Sequence, residues 1–256
     1  MDDHRKVTIN RILVERKGWC NASQGVFMKY SIKVNEVKTK EDSNIRGFAT
    51  VVFGDSFKVT NIAILENRQK GTLFVSMPRY KSNEKDESGA TVYKDVCNPI
   101  TAEFREELYN NILEAYEKVN TEDKGALVAD PEVEDAPSFS VRVTPIEKEG
   151  SSIRGFARVY LNDSFIVNNV SILEGKNGLF IAQPSYKTSK VDDKGNNVYQ
   201  DICYPVTKEF REQLYKQIID TYKEEKEKRK AEAEEKVKEK AKEQEKKTSK
   251  KKEEKR

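Results

Sequence analysis

The chain has 256 residues, 36% of them apolar and 36% charged, with a formal net charge of +3. Residues 223–256 carry 16 Lys/Arg against 11 Asp/Glu, so the rest of the chain is nearly neutral and net charge alone is no argument for a polyanionic partner. A single histidine, His4, excludes His-based triads and His-rich metal clusters, and Cys20, Cys97 and Cys203 have neither metal-ligand spacing nor a disulfide framework.

In chain order, residues 1–25 read as an N-terminal extension that includes a β-branched strand at 7–15 and a turn-forming stretch at 17–25. The apolar residues Val26, Met28, Tyr30, Ile32 and Val34 then alternate with more polar ones, the period-2 pattern of a half-buried strand. A second strand over 45–53 is followed by a tight GlyAspSer turn and a third strand from Phe57. In that third strand Phe57 and Val59 share one phase and Ile62 and Ile64 the other. This predicts a β-bulge around Thr60 and Asn61, or burial of both faces. Leu73, Val75 and Met77 form a fourth strand that Pro78 ends, and after a polar loop a fifth spans about 91–97. Thr101 stands where an N-cap belongs, and Phe104, Leu108, Ile112 and Tyr116 step by four along one helix face.

The whole pattern then recurs. IRGFATVVFGDSFKVTNIAILE at 45–66 matches IRGFARVYLNDSFIVNNVSILE at an offset of 108, and VYKDVCNPITAEFREELY at 92–109 matches VYQDICYPVTKEFREQLY at an offset of 106. The expected fold class is therefore α+β: two tandem copies of a small antiparallel sheet of about five strands, each covered by a C-terminal helix. The copies occupy 26–119 and 139–222. Between them, residues 120–138 hold six acids against one Lys, with Pro131 and Pro137, and read as an extended or disordered acidic linker. Residues 223–256 lose the apolar stripe and read as a Lys/Glu-rich tail, either disordered or helical through i, i+4 pairs such as Glu224 with Lys228 with fraying near Thr248.

Three functions compete. Catalysis is not expected: the recurring carboxylates Asp55/Asp163 and Asp95/Asp201 sit in turns and beside a strand end, where backbone chemistry explains them. No cofactor-binding loop, metal cluster, small-molecule site or membrane span is recognisable, and a cytoplasmic protein is expected. Nucleic-acid binding is suggested by Arg79, Tyr80 and Lys81 after Pro78 and by Tyr186 and Lys187 after Pro184. Lysine can neutralise phosphate and tyrosine can stack on a base, with Arg46, Arg154 and Lys94 extending the patch. The alternative is a protein–protein interaction module acting through sheet edges and the charged tail.

The run GLFIAQPSYKT at 178–188, followed by VYQDICYPV at 198–206, resembles the bacterial SpoVG (stage V sporulation protein G, septation regulator) family, whose members read G-L-F-V-A-M-P-S-K-R-T and then F-R-D-I-x-H-P-I. Arg154, Ala157, Phe165, Glu174 and Gly175 belong to the same resemblance, which covers both copies. It implies a small sheet-plus-helix domain, a homodimer in single-domain members, and regulation of gene expression through DNA and RNA. The tandem copies are then expected to pair as an intramolecular pseudo-dimer, with the loops after strand four as the nucleic-acid contact. Departures from the pattern are Tyr80 and Tyr186 in place of a basic residue, Lys94 and Gln200 in place of Arg, and Asn98 and Tyr204 in place of His. They predict a weaker phosphate contact in the second copy.

Overall fold

The computed structural model describes residues 28–37, 43–121, 124–129 and 136–253, with side-chain surroundings to residue 236. The N-terminal strand expected at 7–15, His4 and Cys20 lie outside the described residues.

The first copy runs β1 (Tyr30–Glu36), β2 (Ile45–Phe53), β3 (Phe57–Asn67), β4 (Thr72–Ser76), β5 (Arg79–Lys85), β6 (Thr91–Asp95), β7 (Cys97–Pro99) and α1 (Ala102–Glu117). A short β8 (Ala126–Ala129) follows. The second copy repeats the series as β9 (Phe139–Pro145), β10 (Ile153–Leu161), β11 (Phe165–Gly175), β12 (Gly178–Ala182), β13 (Ser185–Val191), β14 (Asn197–Asp201), β15 (Cys203–Pro205) and α2 (Lys208–Glu253). The architecture is the α+β arrangement expected of two sheet-plus-helix units.

Local chemistry accounts for most of it. The β2–β3 hairpin closes through Gly54 and Asp55 at φ of 49° and 50°, with Ser56 N donating to Phe53 O at 2.9 Å. Asn162 and Asp163 repeat this at 46° and 48°. Positive φ at both central residues is the turn whose twist matches the strands it joins. The phase switch in the third strand is a bulge: the β2–β3 register slips between the pairs Ala49–Ile62 and Val51–Val59, with Asn61 at φ 60°, and β10–β11 slips at the equivalent place with Asn169 at 57°. Thr101 and Thr207 cap the helices, each hydroxyl accepting from the amide three residues on. Leu108 and Ile112, and Phe210, Leu214, Ile218 and Tyr222, are buried between helix and sheet.

The fifth strand divides where one continuous strand was expected. Its first half, β6, leaves the sheet to pair with β5 as a separate two-stranded ribbon, and β13 and β14 do the same. Its second half, β7, crosses to the other copy and pairs with β11, setting Pro99, Asn98 and Cys97 opposite Phe165, Ile166 and Val167. Reciprocally, β15 pairs with β3, setting Cys203, Tyr204 and Pro205 opposite Val59, Lys58 and Phe57. One sheet is therefore ordered β15-β3-β2-β1-β8, with β4 also on β3, and the other β12-β11-β10-β9, with β7 on β11. The bulges receive the exchange: Thr60 N donates to Ile202 O at 2.7 Å and Asn168 N to Val96 O at 2.8 Å. The rings of Phe53 and Phe165 meet between the copies at 4.9 Å, and the fully buried free thiols Cys97 and Cys203 are neighbours there. Burial, then the neighbouring Cys203, pushes the Cys97 thiol well above its ordinary pKa, which leaves it an unreactive core group.

Two tail and linker readings are corrected. Within 120–138, Ala126–Ala129 is not loose linker but an edge strand on β1, because four small or apolar residues sit where β1 offers an open edge. Gly125, at φ 70°, makes the turn, and a Cβ there would come within 2.9 Å of Val34 O. The second helix runs to Glu253 instead of fraying near Thr248.

Candidate nucleic-acid interface

The two ribbons position the residues singled out after strand four. Pro78, buried, ends the ladder of β4, and the ribbon base is closed by Val96 N donating to Pro78 O at 2.8 Å. Ile202 N and Pro184 O do the same in the second copy. At the tips the carboxylates organise the turns. Asp86 accepts from Ser88 N and Ala90 N, each at 2.9 Å, and Asp192 accepts from Lys194 N and Asn196 N at 2.9 and 2.8 Å. The Ser88 and Asn196 side chains bond the same carboxyls and, with the backbone amides, lower the pKa of Asp86 and Asp192, so both stay ionised.

Residues 79–81 and 185–187 thus begin strands, not loops, and strand alternation sorts them. Arg79 and Lys81 are exposed while Tyr80 between them is half-buried, and Lys187 is exposed while Tyr186 is half-buried. Tyr80 and Tyr186 pack against the core, and the Tyr186 hydroxyl donates to Gln200 Oε1 at 3.0 Å. Each ring is partly covered by the protein, which leaves it less open to stacking than a fully exposed tyrosine. The aromatic rings that the ribbons present to solvent are Tyr93 and Tyr199, 60% and 61% exposed. Tyr93 stands directly opposite Lys81 in the ribbon ladder and Tyr199 opposite Lys187. The signal was the repeat itself, since each copy carries Val-Tyr before a Lys or Gln and an Asp. Without the ribbon register, though, nothing distinguished that Tyr from a sheet-buried one.

The cations differ in how far they are already engaged. Arg79 Nε is 2.7 Å from Asp95 Oδ1, and Lys94 pairs with Glu84. Arg46 pairs with Glu66 and donates to Ser43 O at 3.0 Å; Arg154 repeats this with Glu174 and Ser151 O. Arg46 lines a hollow of about 440 Å³ with Glu36, Tyr116 and Glu117 beside the end of α1, so the fold does not gather it, or its counterpart Arg154, with the ribbons. The side chains of Lys81 and Lys187 have no ion-pair or hydrogen-bond partner among the described residues.

The recurring carboxylates are not brought together. Asp55 pairs with Lys29 at 2.9 Å, Asp163 sits in its turn, and Asp95 is held by Arg79. Asp201 has no such cation among the described residues, and partial burial raises its pKa. Among the described residues no group of three or more His, Cys, Asp or Glu could hold a metal, and no helix is long and apolar enough to cross a membrane.

Comparison with known proteins finds the family model of SpoVG matching this chain at residues 28–118 and again at 137–224. A candidate septation protein SpoVG of Treponema denticola is 36% identical over 81 residues, 32% of this chain and 76% of its own length. Counterparts in Clostridium perfringens and Lachnospira eligens are each 37% identical, over 86 and 82 residues, which is 34% and 32% of this chain and 88% and 85% of theirs. Each relative is thus matched along most of its own length by about a third of this chain.

Proposed function

This chain belongs to the SpoVG family, and from that premise we propose that it is a non-enzymatic regulator that binds DNA or RNA through its two ribbons. The relatives are named for septation, and we assign this chain to the same kind of cytoplasmic regulatory role. The observation that carries the reading is the pair of unengaged lysines, Lys81 and Lys187, exposed at equivalent positions on the two-stranded ribbons. Presentation on a hydrogen-bonded ladder lowers the ordering cost of binding, and a lysine with no internal partner gives up no ion pair when it meets phosphate. The ribbon bases are tied into the exchanged strands, so both sites belong to one pseudo-dimeric body. We propose that the full chain is monomeric in solution, the two copies serving as each other's partner.

The test is a salt titration of binding. Lys81→Ala/Lys187→Ala should weaken binding to every sequence and reduce the slope of log K against log salt by roughly 0.7–0.9 per lost contact. Unchanged affinity and slope in a variant with wild-type circular dichroism would overturn the ribbons as the site.

A second reading, protein–protein association, is favoured by Phe74 and Phe180. They are 42% and 49% exposed on β4 and β12, each paired on one side only among the described strands. Its signature is a defined self-association or partner complex that Phe74→Ser/Phe180→Ser abolishes while nucleic-acid affinity is unchanged.

A further inference from the structure

Resting on the reading of the ribbons as the nucleic-acid site, we infer that Tyr93 and Tyr199 are base-stacking residues and that the ligand is a single strand with unpaired bases. The other tyrosines of the described chain are accounted for inside the molecule. Tyr30 and Tyr222 are buried, Tyr80, Tyr109, Tyr116, Tyr186 and Tyr215 pack against the core, and Tyr160 and Tyr204 lie under Arg142 and Lys58. Tyr93 and Tyr199 alone among the described tyrosines are more than half exposed, and they occupy the same position in both copies.

Their neighbours give these two rings a use. Residues directly opposite in an antiparallel ladder hold their Cβ atoms about 5 Å apart, so each ring stands beside one free ammonium group, Lys81 or Lys187. A base stacked on the ring brings its own backbone phosphate within reach of that lysine, the minimal combination of a single-strand binder. Every base offers a π-face, so the site is sequence-tolerant.

The tip of the first ribbon argues against a duplex. Asp86 and Glu87 end the first ribbon and Asp192 and Asp193 the second, all exposed, and the turn hydrogen bonds keep Asp86 and Asp192 ionised. Only Lys85, bonded to Thr91, offsets the acids of the first tip, so laying that ribbon in a duplex groove would carry net negative charge between two walls of phosphate, whereas Lys190 and Lys194 flank the acids of the second. A single strand crossing the ribbon at the level of Lys81 and Tyr93 avoids them.

The experiment uses the full chain with fluorescent single-stranded and blunt duplex probes of about 15 nucleotides, long enough for one site. Affinity is read by anisotropy across a salt series for wild type, Tyr93→Ala/Tyr199→Ala, Tyr93→Phe/Tyr199→Phe and Lys81→Ala/Lys187→Ala. We expect wild type to prefer the single strand and the double Ala variant to lose at least about fivefold per stacked base there. The Ala variant should keep the wild-type salt slope and duplex affinity, and the Phe variant should retain single-strand binding. An Ala variant that binds the single strand as wild type does, or loses single strand and duplex equally, overturns the inference. The lysine variant separates the two proposals. If its binding and slope match wild type, the ribbon reading itself fails; if it loses binding while the tyrosine variant does not, only the stacking role fails.

Discussion

The two copies share a fold and differ in what finishes it. In the first, the sheet edge at β1 is covered by β8; in the second, the equivalent edge of β9 receives no strand among the described residues. There the extended helix supplies a polar contact instead, Arg229 donating to Pro145 O at 2.6 Å. The first copy anchors helix to sheet with Tyr30, whose hydroxyl donates to Glu107 at 2.8 Å and accepts from Asn111 at 2.7 Å, whereas Phe139 in the matching place packs its ring against Phe210. The ribbons differ in charge chemistry yet converge in outcome. Lys94 and Arg79 give the first ribbon two further cations that Glu84 and Asp95 neutralise, and Lys190 and Lys194 stand near the tip of the second, yet in each ribbon an unengaged lysine, Lys81 or Lys187, faces an exposed tyrosine. Duplicated domains can therefore drift at their edges while the exchanged centre and the presented site stay matched.

The comparison breaks most severely at the centre. Phe165→Ala should cost about 3–5 kcal/mol, because it removes a fully buried ring that packs on Phe53 of the other copy. Urea unfolding should show one cooperative transition shifted to lower denaturant, and two separated transitions would show that the copies fold independently. Next in size, the single variants Lys81→Ala and Lys187→Ala should each reduce the salt slope by the same amount, roughly 0.7–0.9. A clearly smaller effect of Lys187→Ala would restore the weaker second copy that the family departures predict.

Tyr30→Phe should cost about 1 kcal/mol through the lost hydroxyl network, measured by denaturant titration, while Phe139→Tyr gains nothing. Ending the chain after residue 224 should cost no more than about 1 kcal/mol, the worth of the Arg229 contact. A larger loss would reveal that the tail docks more extensively. The smallest effect belongs to Asp201. Burial raises its folded pKa above the unfolded value, so its charged form opposes folding above the folded pKa and costs nothing below about pH 4. Asp201→Asn should therefore be slightly more stable than wild type at pH 7, by less than ~0.5 kcal/mol for a largely solvated group, and equal to it near pH 3. Asp95→Asn, which breaks the Arg79 ion pair, should show no such gain.

What the sequence determined by itself is governed by short-range stereochemistry: the repeat, most strand and helix periodicities, the threonine caps, the hairpin turns, and the phase switch at Ile62 and Ile64 that the structure resolves as a bulge. Family membership was readable for the same reason, since its motifs are contiguous. The tertiary structure decided which edges pair. A three-residue strand such as Cys97–Pro99 has no period from which a partner could be inferred; it crosses to β11 because β12 covers only the far half of that strand. Once β7 leaves, β6 must satisfy its backbone against β5, and that ribbon register turns Tyr80 inward and Tyr93 outward. Which tyrosine meets solvent was therefore settled by a pairing choice made two residues further on, where the buried edge of the other copy offered the unpaired amides and carbonyls that a short strand needs.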